Sequence, residues 1–367
     1  MPEPIRIGLI GCGQIAQQHM RTYANIPNAE MVACADIDES AARRSAEAYG
    51  IPNVFTDFRK MLEMDEIDAV DVCLHNNFHL PATAAAFAAG KHVYCEKPMA
   101  GSYRDAVTML ELAEKAGKKL HIQLSTLYSD DTRAAMELIQ AGELGELYHA
   151  RSTGFRRRGR PYVDGYGTPT FVQKRNSAGG ALYDMGVYHI AQLLYLVGNP
   201  SVERVSGKIY QKIAIDSERE RISGYDVEEL GLGFVRFAGD VTMDLIEAWA
   251  VNLGGIEGSC LLGLKGGVRF GPLKFYRSVG DLDLDATIDL SSARFRWNQL
   301  RGEGDTLSNS QVHWIATLQG RIELIPTAKI ALNTMLISEA VYMSDRLGRE
   351  VSAAEVLDAS VSTAVDI

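Results

Sequence analysis

An α/β chain with an N-terminal, doubly wound parallel sheet and a C-terminal α+β domain is what three observations predict. Short apolar runs alternate with helical segments through the first third of the 367 residues. A glycine turn, Gly11-Cys12-Gly13-Gln14-Ile15-Ala16, joins the first run to the first helix. After roughly residue 145 the alternation gives way to apolar runs joined by turns and longer loops.

Each element follows from its local pattern. Residues 5–10 form a buried strand, 15–24 a helix, 29–35 a second strand ending at Asp36, and 39–49 a helix stopped by Gly50. Residues 54–55 and 57–64 continue as strand and helix, 69–74 as the fourth strand, and 80–89 as an alanine-rich helix closed by Gly90. A strand at 93–95, a helix at 105–116 and a strand at 120–124 end the series. Strands separated by helices specify a parallel sheet with right-handed crossovers. Beyond it, 147–152, 202–210, 229–237, 241–250 and 258–264 read as strands of a mostly antiparallel sheet, with helices at 181–196 and 328–347. The polar stretch 280–310 reads as loop and strand, and the predicted domains are 1–125 and 126–367.

Composition narrows the function. With 46% hydrophobic and 23% charged residues the chain is a globular protein able to bury a large core. The 37 Lys and Arg against 47 Asp and Glu leave a net charge of −10, which argues against nucleic acid or a membrane surface as partner. No apolar run reaches the roughly 18–20 residues that span a bilayer, and the first residues lack signal-peptide character. The five cysteines lack metal-type spacing and read as reduced thiols, so the expectation is a cytoplasmic protein without a metal.

The glycine turn carries the first chemistry. Gly11 permits the tight turn, Gly13 lets a pyrophosphate approach the backbone at Gln14 and Ile15, and Ala16 lets the helix pack on the strand. Asp36, 20 residues beyond Ala16, can accept both ribose hydroxyls of NAD and repel the extra phosphate of NADP. NAD is therefore the expected cofactor, in a Rossmann domain of residues 1–125. Two more segments follow strands that end at the ligand-binding edge: Leu74-His75-Asn76-Asn77-Phe78-His79 and Cys95-Glu96-Lys97-Pro98.

The turn, these two segments and a downstream run, Ser177-Ala178-Gly179-Gly180-Ala181-Leu182-Tyr183-Asp184-Met185-Gly186-Val187-Tyr188, together resemble the Gfo/Idh/MocA oxidoreductases. The resemblance spans both domains and implies an NAD(P)-dependent dehydrogenase of a sugar, inositol or related polyol. It also implies a homodimer or homotetramer formed through an open C-terminal sheet. Gly11, Gly13, Gln14, Ile15, Asp36, Leu74, His75, Asn76, His79, Glu96 and Lys97 are the implied cofactor contacts. Lys97, Asp184 and Tyr188 are the implied catalytic set, with Lys97, Arg156, Asp184 and His189 toward substrate. Tyr188 stands where many members carry histidine and resembles the glucose–fructose oxidoreductase branch, where tyrosine is the acid/base. Four residues apart on a regular helix, Asp184 and Tyr188 share a face, whereas His189 is rotated about 100° from Tyr188 and points elsewhere.

Oxidation of a secondary alcohol needs a base for the hydroxyl proton while hydride leaves carbon. A phenol with an ordinary pKa near 10 becomes a better base beside an ammonium such as that of Lys97. Departures from the family include His75 in place of proline, and Ser125 and Leu127 in place of asparagine and arginine. His75 is expected to contact cofactor or substrate. The run Arg156-Arg157-Arg158-Gly159-Arg160 reads first as a solvated loop or subunit contact and second as an anion site. Two other functions use the same residues: glycoside cleavage by transient oxidation on bound NAD, and non-catalytic nucleotide sensing.

Overall fold

A computed structural model describes residues 3–300 and 306–366. They form two units. The first holds the described residues up to Gln123, those from Thr306 to Lys329, and those from Ser362 onward; the second holds Leu124–Leu300 and Ile330–Val361.

In the first unit the apolar runs become strands β1 (Ile5–Ile10), β2 (Ala29–Ala35), β3 (Asn53–Phe55), β4 (Ala69–Val72), β5 (His92–Cys95) and β6 (Leu120–Ile122). Among the described residues they pair in parallel in the order β3-β2-β1-β4-β5-β6. The order reverses at β1, between β2 and β4, which is where such sheets take a ligand beyond their carboxyl ends. The connecting helices start and stop on side chains chosen for the purpose. Asp38 accepts the Ser40 N–H at 2.9 Å to cap Glu39–Tyr49, and Gly50 ends it at φ 67°. Ser102 likewise accepts the Asp105 N–H ahead of Tyr103–Ala116.

A single cut near residue 125 does not describe the chain, because two later segments complete this unit. The helix Ser310–Leu318 buries Trp314 fully beside Tyr94 and His121, with ring centroids 6.2 and 5.7 Å away. Ser310 Oγ meets Tyr94 Oη at 2.9 Å and His121 Nε2 at 2.8 Å, and Thr327 Oγ1 accepts the Ile122 N–H at 3.0 Å. Thr363 then donates its N–H to Asp105 at 2.9 Å and its hydroxyl to Asn77 at 2.8 Å. Apolar burial of an indole and saturation of buried polar groups both favour the return of the chain.

The second unit is built on β7 (Leu147–Phe155), β8 (Val202–Tyr210), β9 (Leu230–Phe237), β10 (Thr242–Ala248), β11 (Cys260–Gly263), β12 (Gly267–Arg269), β13 (Lys274–Val279), β14 (Leu282–Thr287) and β15 (Val351–Ser352). The order is β14-β13-β12-β11-β7-β10-β9-β8-β15, antiparallel except for the parallel pair β7 and β10. That pair sets Glu247 opposite Gly154 and Leu245 opposite Ser152. Residues 280–310, expected as loop and strand, hold β14 and two short helical segments, Ser291–Phe295 and Arg296–Leu300; 301–305 lie outside the described residues. The expected helix at 181–196 divides into a π turn, Leu182–Gly186, and a regular helix, Val187–Leu196.

Candidate active site

The glycine turn lies at the carboxyl end of β1. Gly11 has φ 94°, and a Cβ built on it would stand 2.5 Å from the Cys73 carbonyl oxygen, so only glycine fits. Around Gly13, at the N-terminus of the helix Gln14–Tyr23, a Cβ would meet nothing within 4 Å. This open, amide-lined approach is the cradle a pyrophosphate requires. Asp36 ends β2 with Oδ2 accepting the Cys12 N–H at 2.8 Å and Oδ1 accepting the Asp38 N–H at 2.9 Å. The carboxylate is thereby fixed beside the glycine turn, and this donor and acceptor set fits NAD.

Beneath the turn lies a buried ionic network that the sequence reading missed. His19, on the first helix, faces Asp71 of β4 through Nδ1 and Glu96 after β5 through Nε2, each at 2.9 Å. All three are almost fully buried. Burial opposes charge on His19, but Asp71 and the neighbouring Cys73 raise its pKa well above the ordinary histidine value. Burial likewise opposes ionisation of Glu96, yet its hydrogen bond and charge interaction with His19 leave its pKa below the usual range. Cys73 is pushed up to about 12 by burial and by Asp71, an inert thiol. His19, Asp71 and Cys73 are metal-type donors close together. Their 2.9 Å hydrogen-bonding contact is shorter than the roughly 3.3 Å between two ligands on a zinc tetrahedron, so they read as a hydrogen-bonded network. Glu96 Oε2 also accepts the Lys97 N–H at 3.0 Å, so the network fixes the backbone of the lysine segment.

His79, expected at the cofactor, is fully buried, with Nδ1 2.8 Å from the Pro98 oxygen and Nε2 3.0 Å from the Leu74 oxygen. Burial lowers its pKa, so the neutral ring carries one N–H and donates it to one of these two strand-end carbonyls. His75 stays half-buried at the carboxyl end of β4, its pKa lowered by burial and by His79. Asn76 is buried beside it, Leu74 packs toward Gly11, and Gln14 is exposed.

In the second unit the candidate residues gather on the π turn. Its N-terminus is anchored by buried Glu228, which accepts the N–H groups of Gly180 at 2.8 Å and Leu182 at 2.9 Å and the Tyr342 hydroxyl. Burial raises the pKa of Glu228. Asp184 Oδ2 accepts the indole N–H of fully buried Trp249 at 3.0 Å and lies 3.6 Å from Arg156 Nη1. His189 Nδ1 is 2.9 Å from Oε2 of Glu247, whose other oxygen accepts the Ser152 hydroxyl at 2.7 Å. Glu247 has no exposed surface.

The expected pairing of Asp184 with Tyr188, and of His189 elsewhere, assumes a regular helix. A π turn bonds i to i+5, and beyond this one His189 lies in the electrostatic neighbourhood of Asp184 and Arg156. Tyr188 is half-buried, and its carbonyl accepts the Thr126 hydroxyl at 2.9 Å. Within the arginine run, Arg156 reaches Asp184. Arg157 and Arg158 are exposed, whereas buried Arg160 pairs with Asp164 at 2.9 Å and Glu229 at 3.1 Å as a structural cation. Glu247, Trp249 and Ser152 carry no local sequence signal; the register of β7 against β10 is what brings Glu247 and Ser152 to the turn.

Comparison with known proteins identifies the family. An oxidoreductase family model with an NAD-binding Rossmann fold matches residues 5–124, and the GFO/IDH/MocA C-terminal domain model matches 132–268. D-glucoside 3-dehydrogenase of Escherichia coli K12 is 33% identical over 256 residues, covering 68% of this chain and 72% of that protein. D-apiose dehydrogenase of Paraburkholderia graminis is 27% identical over 360 residues, covering 94% and 88%. A levoglucosan dehydrogenase solved with NADH has the same fold, at TM-score 0.81 and 20% identity, covering 96% of this chain and 99% of the other. The chain belongs to the Gfo/Idh/MocA oxidoreductase family, and NAD is its cofactor.

Proposed function

We propose that this oxidoreductase takes a D-glucoside or a closely related sugar and oxidises one of its ring secondary alcohols. The reaction class is NAD-dependent oxidoreduction of a sugar or polyol CH–OH group. The glycine turn from Gly11 to Ile15 and the Asp36 carboxylate would hold the dinucleotide, which accepts a hydride at its nicotinamide ring. In the first unit, Lys97 supplies an ammonium to polarise the reacting hydroxyl, its backbone fixed by Glu96. In the second unit, Asp184 accepts a hydrogen bond from a sugar hydroxyl while Trp249 and Arg156 hold the carboxylate in place. The fixed carboxylate on the π turn is the observation that carries this reading.

The test is an NADH absorbance screen over methyl glucosides, free hexoses, apiose and inositols, with identification of the oxidised carbon. A keto-sugar formed together with NADH is the expected result. Glycoside cleavage without NADH accumulation would replace it by redox-assisted cleavage, and NADH binding without any reaction by a sensing role. We also propose a homo-oligomer formed through the second sheet, where Leu264, Leu282 and Leu284 stand exposed, and residence in the cytoplasm. Among the described residues no helix is long and apolar enough to cross a membrane.

Asp36→Ser tests the cofactor assignment. Loss of a charged acceptor is expected to weaken NAD binding about 10- to 100-fold and to raise relative use of NADP. Isothermal titration with both dinucleotides checks it, and an unchanged NAD affinity would remove Asp36 from the site.

A further inference from the structure

We propose that Thr363 is a positioning residue for the dinucleotide, holding the loop after β4 in the shape that NAD meets. This inference rests on the reading of that loop, through His75 and Asn76, as a cofactor contact, and deepens it.

The loop leaves β4 beside the glycine turn, since a Cβ on Gly11 would stand 2.5 Å from the Cys73 oxygen and 3.1 Å from a Leu74 methyl. It runs through His75 into a single 3₁₀ turn, Asn76–Phe78, and then into the helix His79–Ala88. Asn77, in the middle of that turn, is buried, yet two of its partners come from far along the chain. Its side-chain oxygen accepts the Thr363 hydroxyl at 2.8 Å, and its carbonyl accepts the Val365 N–H at 3.1 Å. Thr363 also donates its N–H to Asp105 Oδ2 at 2.9 Å and brings its hydroxyl to 3.3 Å from the same oxygen. Asp105 stands in the first turn of the helix Tyr103–Ala116 and is 1% exposed. Among the described residues no other group donates to this carboxylate. The three segments meet at Gly101, where a Cβ would overlap both Asn77 Oδ1 and Thr363 Oγ1.

Acceptors buried this deeply are costly to leave unpaired, so both Asn77 and Asp105 favour the docked segment. Thr363 joins two elements of unequal stiffness. Through its N–H it is fixed to the start of a 14-residue helix, and through its hydroxyl it fixes a turn of three residues. That turn cannot move without breaking hydrogen bonds at Asn77. His75 and Asn76, its immediate neighbours, are thereby ordered before the dinucleotide arrives, and binding is spared the entropy of ordering them. Thr363 acts on the cofactor through Asn77 alone.

NADH fluorescence titration and amide hydrogen exchange test the assignment. Thr363→Val removes the hydroxyl donor to Asn77 and keeps the N–H to Asp105. Its NADH affinity should fall about 3- to 10-fold, and Thr363→Ser should keep the wild-type value. Deletion of residues 362–367 should weaken NADH binding about 10- to 100-fold. In the valine variant and the deletion, the amides of Asn76–Phe78 should exchange faster than in wild type and regain protection with NADH. A role in stability alone would lower the melting temperature without touching affinity. Unchanged NADH affinity in Thr363→Val therefore overturns the proposal, whether or not the deleted protein folds. Asn76→Ala separates the proposal from its premise. Weaker NADH binding in Asn76→Ala but not in Thr363→Val sinks the positioning role and leaves the loop as a contact. Unchanged binding in Asn76→Ala removes the loop from the cofactor site, and the proposal with it.

Discussion

Asp184→Asn is expected to lower kcat/KM for the sugar about 10²–10⁴-fold while leaving NADH affinity unchanged. The substitution is nearly isosteric, and an asparagine oxygen can still accept the Trp249 indole N–H that now meets Oδ2 at 3.0 Å. What disappears is the negative charge beside Arg156, and with it the strong acceptor for a substrate hydroxyl. The glycine turn and Asp36, proposed to hold the dinucleotide, lie in the other unit, so the loss should fall on sugar turnover alone. Steady-state kinetics with methyl glucoside, paired with NADH fluorescence titration and a melting curve, checks this. Turnover within threefold of wild type would remove Asp184 from the proposed chemistry.

His19→Ala is expected to destabilise the first unit by about 3–5 kcal/mol, because it leaves two buried carboxylates facing each other without their cation. Followed by loss of NADH binding on heating, that corresponds to roughly 6–20 °C. The pH dependence has a definite sign. A raised histidine pKa contributes stability that is complete below the unfolded value near 6.5 and is lost as pH rises through the folded value. The depressed Glu96 contributes above its unfolded value near 4.5 and is lost as pH falls through its folded one. The gap between wild type and His19→Ala should therefore be widest from about pH 4.5 to beyond 6.5 and narrow outside that window. His19→Gln, which can still donate one hydrogen bond, should recover part of the loss. Equal melting of the wild type and His19→Ala across this range would show that the network carries no net stability.

How much of this was legible in the chain depends on range. The strands and helices through residue 124 could be read because each is announced locally, by an apolar run, a capping Asp38 or Ser102, or a glycine such as Gly50. The cofactor edge was legible for the same reason, since the turn from Gly11 to Ala16 and Asp36 follow consecutive strands. The helix Ser310–Leu318 was not read, because nearly every side chain in it is buried and its sequence has no polar face to set a period. The π turn left no mark either: one residue more per turn changes register without changing composition. Hence His189 was read as pointing away, when Asp184 is among its electrostatic neighbours. Glu247 is 58 residues from His189 and was visible only once β7 and β10 were paired. His19 and Asp71 hid for the same reason. One lies on a helix and one on a strand, and neither spacing hints at a shared buried charge.

The return of the chain to its first sheet has a consequence for biosynthesis. A ribosome releases β1 through β6 early, yet Trp314 and Ser310, which cover Tyr94 and His121, follow almost 200 residues later. At about 5–20 residues per second that is a wait of roughly 10–40 s. During it the nascent sheet exposes aromatic surface and unsatisfied polar groups while the whole of β7 to β14 emerges. Residues 306–329 thus act as a late-arriving cover, and a polypeptide released before them leaves the nucleotide-binding sheet open to chaperones and proteases.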